Sequence, residues 1–465
     1  MPKMLPLCRV SLIAIGGDIN ILHLYGAKQI NMRYDPVPAE FFQRNRRRFM
    51  RKMQPDSIAL FFSNHLMPRS GDVYFPFKQN EDLWYLTGLE HPGTVLVLFP
   101  DCMKDGYQEV VFTPRSSLFL DRLQGGTTDL DQAAALSGIP KVFWSDDQDR
   151  VLHELILLAK RIYLNIPEHD GRPEIWQDAN TKMARNLQAR YPAHKYHRAQ
   201  PILRKLRAIK STEEIQLIRE AIRITGKGFE RILERIQPGV WEHELEAELT
   251  YAYLQNRASG HAFPPTVASG SRGCILHYQA NSGLCQDGEL LLVDTGAEYA
   301  NYASDISRTI PVNGQFAPQQ RKMYQAVLSV LEQITPLLVP GITLDEFHRA
   351  AGQFMQEQLL ALGLLTPAEV AKQDKGHPAY RKYFMHRVAH PVGLQVHDMG
   401  NRYEPIQAGM VFAVEPGIYD QKSRTAIRLE NILLVTDQGS ENLSRDIPIS
   451  IDTLEEKINK PAIQG

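Results

Sequence analysis

Cysteine is scarce in this chain of 465 residues: Cys8, Cys102, Cys274 and Cys285 are all there are, and no two stand in CxxC spacing. That excludes a disulfide framework and a zinc knuckle, and it fits reduced thiols in a cytoplasmic protein. Cys274 and Cys285 flank His277 but read as two buried thiols rather than a soft-metal site. Long apolar runs are also missing. None approaches the ~20 residues needed to span a bilayer, so no membrane partner is expected. Charge of one sign is not in excess: 52 Lys and Arg stand against 53 Asp and Glu, a net charge of -1. That leaves no electrostatic footprint for nucleic acid. Residues 34 to about 200 also show no Gly-rich phosphate loop and no nucleophile elbow.

Length is what the chain does have, and it exceeds one ordinary core, so two domains are expected. The N-terminus, MPKMLPLCRVSLIAIGG, has a faint signal-peptide character, but its apolar core is short and no small-residue cleavage site follows. Residues 1–33 read as a poorly specified extension, with Met32 a candidate start. From Pro38 the spacing predicts a helix to Met53, with Phe42, Phe49, Met50 and Met53 inward and its arginines forming a solvated outer face. SIALFFSN, TVLVLFP, EVVFTP, KVFWS and RIYLNI read as strands and VLHELILLAKR as a helix, whereas YFPFKQNEDLWYLTGLEHPG reads as aromatics and turns. Residues 34–200 therefore alternate strands and helices, an α/β (α+β) arrangement. AQPILRKLRAI leads into a second domain over residues 206–462, where Ser211 and Glu214 have capping-box spacing.

Within that second part the pattern helix, Pro-Gly, helix occurs twice, at Pro238-Gly239 and Pro340-Gly341. Each helix pair precedes strands that carry acids: LLLVD and ASDIS first, MVFAVE and IRLEN second. Two such units predict two halves about a pseudo-twofold axis. LLLVD and YASDIS read as neighbouring strands with their turn between Tyr299 and Ala300, which sets Asp294 roughly opposite Asp305. Like charges opposite one another destabilise a sheet, and a cation between them would remove the penalty. Glu415 and Glu430 are the matching pair of the second half. FMHRVAHPVGLQVHD adds His386, His390 and His397, and Pro391 argues for a strand or turn there rather than a helix. Four carboxylates with one or two imidazoles suit a divalent ion such as Mn²⁺, with Zn²⁺, Co²⁺ or Fe²⁺ as alternatives. So many acids fit two ions, ~3.5–4 Å apart, better than one. The reaction class that follows is metal-assisted hydrolysis by a hydroxide bridging the ions.

Together VDTGAEYANYASDISRT, HRVAHPVGLQVHD, VEPGIY and IRLEN resemble the pita-bread metallopeptidases, and the likeness covers the whole second domain. The resemblance implies Asp294, Asp305, His390, Glu415 and Glu430 as metal ligands, with Asp305 and Glu430 bridging two ions and Glu415 doubling as proton shuttle. It implies catalytic or substrate-contacting roles for His277, His386, His397 and Arg428, and a pocket-lining role for Tyr419. FFQRNRRRFM and GDVYFPFKQNEDLWYLTG are similar to the N-terminal domain of aminopeptidase P, the Xaa-Pro aminopeptidases. By that likeness the substrates are peptides with proline in second place. Trp84 would reach a neighbouring subunit's pocket, so a homo-oligomer, dimer or tetramer, is implied. Two positions depart from the pattern: Arg387 stands where the family often has glycine, and Pro391 where many members have an aromatic residue. HPVGLQVHD is also close to some prolidases, which cut Xaa-Pro dipeptides, so that reading is kept as the alternative. Non-catalytic pita-bread binding proteins form a third class, but such members lose ligand residues and here all five are present.

Overall fold

The apolar run Ser57–Phe62 lies at the centre of a six-stranded sheet. The computed structural model of the chain describes residues 33–115, 129–168, 178–374 and 376–459; the expectation for the N-terminal extension falls almost wholly outside them. Across the sheet the strands run Val142–Trp144, Glu109–Thr113, Val95–Leu98, Ser57–Phe62, Arg161–Leu164 and Lys195–Arg198. Ser57–Phe62 pairs antiparallel with Val95–Leu98 and parallel with Arg161–Leu164. Every residue of Ser57–Phe62 is buried because both faces are covered. Ile58, Leu60 and Phe62 pack with Val151 and Leu155 of helix Gln148–Leu158 and with Leu187 of helix Ala179–Arg190. Ala59 and Phe61 face the opposite way, where Phe61 meets Phe49 of helix Ala39–Met50 edge-on at 5.4 Å.

Two local expectations are corrected. The arginine face of Ala39–Met50 is not wholly solvated: Arg46 is fully buried. It lies four residues after Phe42 and three before Phe49, on the inward stripe. Its Nη1 donates there to the carbonyls of Leu86 and Ser137, at 2.7 and 2.9 Å, its Nε donates to Glu109 at 2.9 Å, and its Nη2 has only the ion pair with that carboxylate. The stretch read as turns holds a helix, Glu81–Thr87. The Asn80 side chain caps it by accepting from the Leu83 amide, and Gly88 in the left-handed region ends it.

After helix Gln200–Ala208 the chain enters the second part. Helix Thr212–Arg235 starts with the Ser211–Glu214 capping box, both of its hydrogen bonds made. Helix Glu242–Gln255 follows, and Pro318–Ile334 with Leu344–Ala361 repeat the pair. Each pair is followed in the chain by an antiparallel sheet. One is Thr266–Ser269, Leu290–Thr295 and Ile306–Pro311; the other is Ala389–Pro391, Val411–Val414, Asn431–Thr436 and Gly439–Asn442. The halves are joined at Glu430 N–H, which donates to Ser307 O at 3.1 Å, and at Arg308. Buried Arg308 donates to the carbonyls of Ser307, Glu430, Ile447 and Pro448 and to Asn431 Oδ1. Nη1 and Nη2 thus tie strand Ile306–Pro311 to the start of strand Asn431–Thr436, while Nε, with Nη2, holds the segment at Ile447 and Pro448.

The hairpin turn is centred one residue later than the sequence reading placed it, which moves the residue facing Asp294 by two. Asp294 faces Ser307 and Tyr299 faces Tyr302, so the turn is Ala300-Asn301, both left-handed, with φ 47° and 66°. A two-residue hairpin turn of this hand needs φ > 0 at both central positions, which asparagine tolerates well. Asp305 accordingly lies diagonal to Asp294, just past the end of its strand. Between the two, Gly296 is pressed against the partner strand: a Cβ there would stand 1.7 Å from the Ser304 carbonyl oxygen. Gly296→Ala should therefore lower stability by about 3 kcal/mol, the upper range for overpacking. Urea denaturation checks this; an unchanged midpoint would contradict the packing described.

Candidate metal centre

All five expected ligands sit at or beside strand ends where the two sheets meet. Asp294 is next to last in Leu290–Thr295, Asp305 precedes Ile306–Pro311, and Glu430 precedes Asn431–Thr436. His390 is central in Ala389–Pro391, as Pro391 predicted, and Glu415 follows Val411–Val414. His390 Nε2 lies 3.4 Å from Asp305 Oδ2 and 3.8 Å from Glu415 Oε1. One ligand atom each from Asp305, His390 and Glu430 falls within 4.8 Å of the others.

Arg428 orders the surrounding groups. Its Nη2 is 2.5 Å from Asp294 Oδ2, and its Nε donates at 2.9 Å to Ser307 Oγ, which donates in turn to Glu430 Oε2 at 2.8 Å. Arg428 Nη1 donates to Tyr419 OH at 3.2 Å, and that hydroxyl lies 2.7 Å from His386 Nε2. His386 Nδ1 meets the Arg387 carbonyl at 2.8 Å, so this pattern puts the imidazole proton on Nδ1 and makes Nε2 the acceptor. Glu415 Oε2 is 3.6 Å from the same Nδ1.

The electrostatics are those of too many acids in too little water. Burial pushes Asp305 up, helped by Asp294 and Glu415; burial does the same to Glu430, helped by Asp305 and Asp294. Glu415 is pushed up to about 8 by burial and then by Glu430. Burial, with Arg428 next in effect, drives His386 below the usual imidazole range. Burial opposes the charge on Arg428, but Tyr419, Asp294 and the nearby glutamates outweigh it. Asp294 Oδ1 is buried and has no hydrogen-bond partner among the described residues. An orphaned carboxylate oxygen beside three further acids and an imidazole fits a divalent cation: the cation supplies the missing partner and removes the repulsion that favours protonation.

A cavity of about 600 Å³ opens over the cluster and is lined by all five ligands with His277, His386, His397 and Arg428. His277 and His397 are exposed at its surface, and the His397 ring packs edge-on against His390 at 4.4 Å. Two expected site residues are not brought to this cavity. Tyr419 is 1% exposed and absent from its lining; it bears on the site through His386. Trp84 is likewise 1% exposed, packed edge-on against Phe42 and Tyr302 at 5.5 and 5.8 Å. Its indole is core, with no surface left to close a neighbour's pocket. Two cavity or cluster residues were missed. Ser307 had a legible signal, since Asp305, Ser307 and Thr309 alternate as polar residues along one face of an apolar strand. His348, which lines the cavity and accepts from the Val388 amide at 3.3 Å, had none.

Known proteins share this arrangement. The sequence model of metallopeptidase family M24 matches residues 216–437, and that of the aminopeptidase P N-terminal domain matches residues 42–163. The Xaa-Pro aminopeptidase of Escherichia coli (strain K12) is 34% identical over 429 residues, spanning 88% of this chain and 96% of that protein. The chain belongs to metallopeptidase family M24. Human Xaa-Pro aminopeptidase 3 is 30% identical over 416 residues, 86% of this chain and 80% of that one. Among solved structures, E. coli aminopeptidase P with the inhibitor Pro-Leu superposes with a TM-score of 0.82 at 31% identity, covering 91% of this chain and 99% of that one. Pseudomonas aeruginosa aminopeptidase PepP gives 0.83 at 30%, covering 91% and 98%. This M24 chain is a metal-dependent aminopeptidase with the pita-bread fold and the N-terminal domain of aminopeptidase P.

The raised carboxyls carry a pH signature. A carboxyl whose folded pKa exceeds its unfolded value of ~4 contributes stability below pH ~4 and loses it as pH rises through the folded value. For Glu415 that loss is complete above about 8. The metal-free chain should therefore lose Tm between pH 5 and 8, whereas saturating Mn²⁺ should offset the loss. Calorimetry with and without metal should show the smallest metal-induced gain at pH 5 and the largest at pH 8. A gain independent of pH would contradict the assignment.

Proposed function

We propose that the chain releases the N-terminal residue from peptides whose second residue is proline. In this reading two divalent cations, Mn²⁺ foremost, would be held by Asp294, Asp305, His390, Glu415 and Glu430. The observation that carries the reading is the convergence of these five residues on one cavity, with Asp294 Oδ1 buried and unsatisfied. The names of the relatives support the substrate class. When bound, such cations acidify a water between them and polarise the scissile carbonyl.

The protein's own groups do the rest. Proline has no amide hydrogen to donate and a fixed φ, so the scissile bond ends in a tertiary nitrogen that must be protonated before it can leave. Glu415, between His386 and His390, is placed to take a proton from the attacking water and return it to that nitrogen. His277 and His397 face the cavity as donors for the substrate carbonyl. Arg428 fixes Asp294 directly and Glu430 through Ser307, so that both carboxylates stay aimed inward. A second cavity of about 1190 Å³ shares His277, Gln395, Val396 and His397 with the first. That space accommodates a peptide running on beyond the proline, and it favours the aminopeptidase over the prolidase reading.

The same proposal includes domains at 34–200 and 206–462, a homo-oligomer, and the cytoplasm. Cys102, Cys274 and Cys285 support the last, as free buried thiols. Among the described residues no helix is long and apolar enough to cross a membrane. After Mn²⁺ loading, the enzyme should cleave an Xaa-Pro-Pro tripeptide fast, an Xaa-Pro dipeptide slowly and Xaa-Ala-Ala not at all. Dipeptide-only cleavage would make it a prolidase. Losing a metal-directed carboxylate removes several kcal/mol of transition-state stabilisation, so Asp294→Ala should lower kcat by at least about 10³. Intact turnover in that variant would overturn the metal site.

A further inference from the structure

Outside the metal cluster, a buried chain of charges crosses from the first sheet's helices to the loop carrying His397. Arg207, 1% exposed at the end of helix Gln200–Ala208, donates through Nη1 to Asp82 Oδ1 at 2.7 Å and through Nη2 to Asp398 Oδ1 at 2.6 Å. The other oxygens are used as well. Gln200 donates to Asp82 Oδ2 at 2.8 Å, and Lys210 Nζ donates to Asp398 Oδ2 at 3.0 Å. All four oxygens of these two carboxylates are thus satisfied, and Glu81 and Glu214 stand close enough to Arg207 and Lys210 to add to the acid side.

Asp398 is also the clasp of a loop. Its amide donates to Pro391 O at 2.9 Å, which closes the segment 391–398 with His390 just before it and His397 inside its end. Gly393 lies beneath the Asp398 carboxylate, where a Cβ would come within 2.1 Å of Oδ2, and its carbonyl accepts from the Ala303 amide at 2.8 Å. Gln395, Val396 and His397 of this loop form the wall between the two cavities. Buried ion pairs are poor sources of net stability, and geometric definition is their better-attested use.

We propose that Asp82, Arg207 and Asp398 form a positioning relay, through which the helix Glu81–Thr87 holds His397 in place against His390 and the substrate cavity. Asp82 and Arg207 stand outside the cavity, and only Asp398 reaches its lining, beside His397. The proposal rests on the reading of His397 as a substrate contact, and it gives the N-terminal part of the chain a role in the reaction.

A double-mutant cycle on the full-length, Mn²⁺-loaded enzyme tests it with an Xaa-Pro-Pro tripeptide: Asp82→Ala, His397→Ala and both together. Asp82→Ala should lower kcat/KM at least tenfold, chiefly through KM. Asp82→Asn, whose side-chain oxygen still accepts from Arg207, should recover most of it. The double variant should be no worse than His397→Ala within about twofold, because groups that act through one another do not add. Multiplying losses, or unchanged kinetics in Asp82→Ala, would overturn the relay. If Asp82→Ala does not fold, Lys210→Met, which releases the other Asp398 oxygen, takes its place in the same cycle. A second arm needs no activity: the rate at which diethylpyrocarbonate modifies His397, mapped by mass spectrometry, should rise severalfold in the variant relative to His277. An unchanged rate overturns the relay even if the wild type cleaves no Xaa-Pro peptide, whereas failure of that cleavage alone overturns only the substrate reading.

Discussion

Four carboxylates held together away from water repel one another, and the second half of this structure is organised around that fact. Arg428 relieves only part of the problem, through its contact with Asp294. Asp305, Glu415 and Glu430 remain, each pushed toward the protonated form by burial and by its neighbours. A group of this kind is unfavourable as bare protein, and protons or cations are the two remedies available to it. The buried, unpartnered Asp294 Oδ1 favours the cation. The same arrangement suits the catalysis proposed above, because a site built to hold high positive charge is also one that acidifies water and stabilises developing oxyanion charge.

The repeat explains how the acids come together without a long search. Each half contributes two helices, an antiparallel sheet and a pair of acids at strand ends, and the halves meet where those ends converge. Arg308 and the Glu430–Ser307 contact weld that junction through backbone carbonyls, so ligand geometry depends on main chain rather than on free side chains. The first sheet bears on the site from a distance. Its helix Glu81–Thr87 reaches the His397 loop through Arg207, a contact that spans both parts of the chain.

Much of this was legible in the residues. The apolar runs ending in acids marked the strands that bring the four carboxylates together, the doubled Pro-Gly marked the two halves, and Pro391 argued for a strand or turn rather than a helix at His390. Local spacing could not settle the register of the Asp294–Asp305 hairpin, which depends on two left-handed residues in the turn. Nor could it distinguish buried from solvated polar groups. Arg46 reads as one of a basic surface run, yet it lies on the apolar stripe of its helix and is satisfied by carbonyls contributed from distant segments. For Trp84 the family resemblance implies a reaching aromatic, yet Phe42 and Tyr302, far apart in sequence, enclose it. Such partners are tertiary facts, visible only once the chain has folded.

The claim on which the rest depends is that the carboxylate cluster is a metal site. Calorimetric titration of the metal-free protein with Mn²⁺ at pH 7, in two buffers of different ionisation enthalpy, tests it most directly. The account predicts saturable binding of about two ions per chain with net proton release, and loss of at least one ion in Asp305→Asn. No saturable binding, or binding without proton release that Asp305→Asn leaves intact, would contradict it.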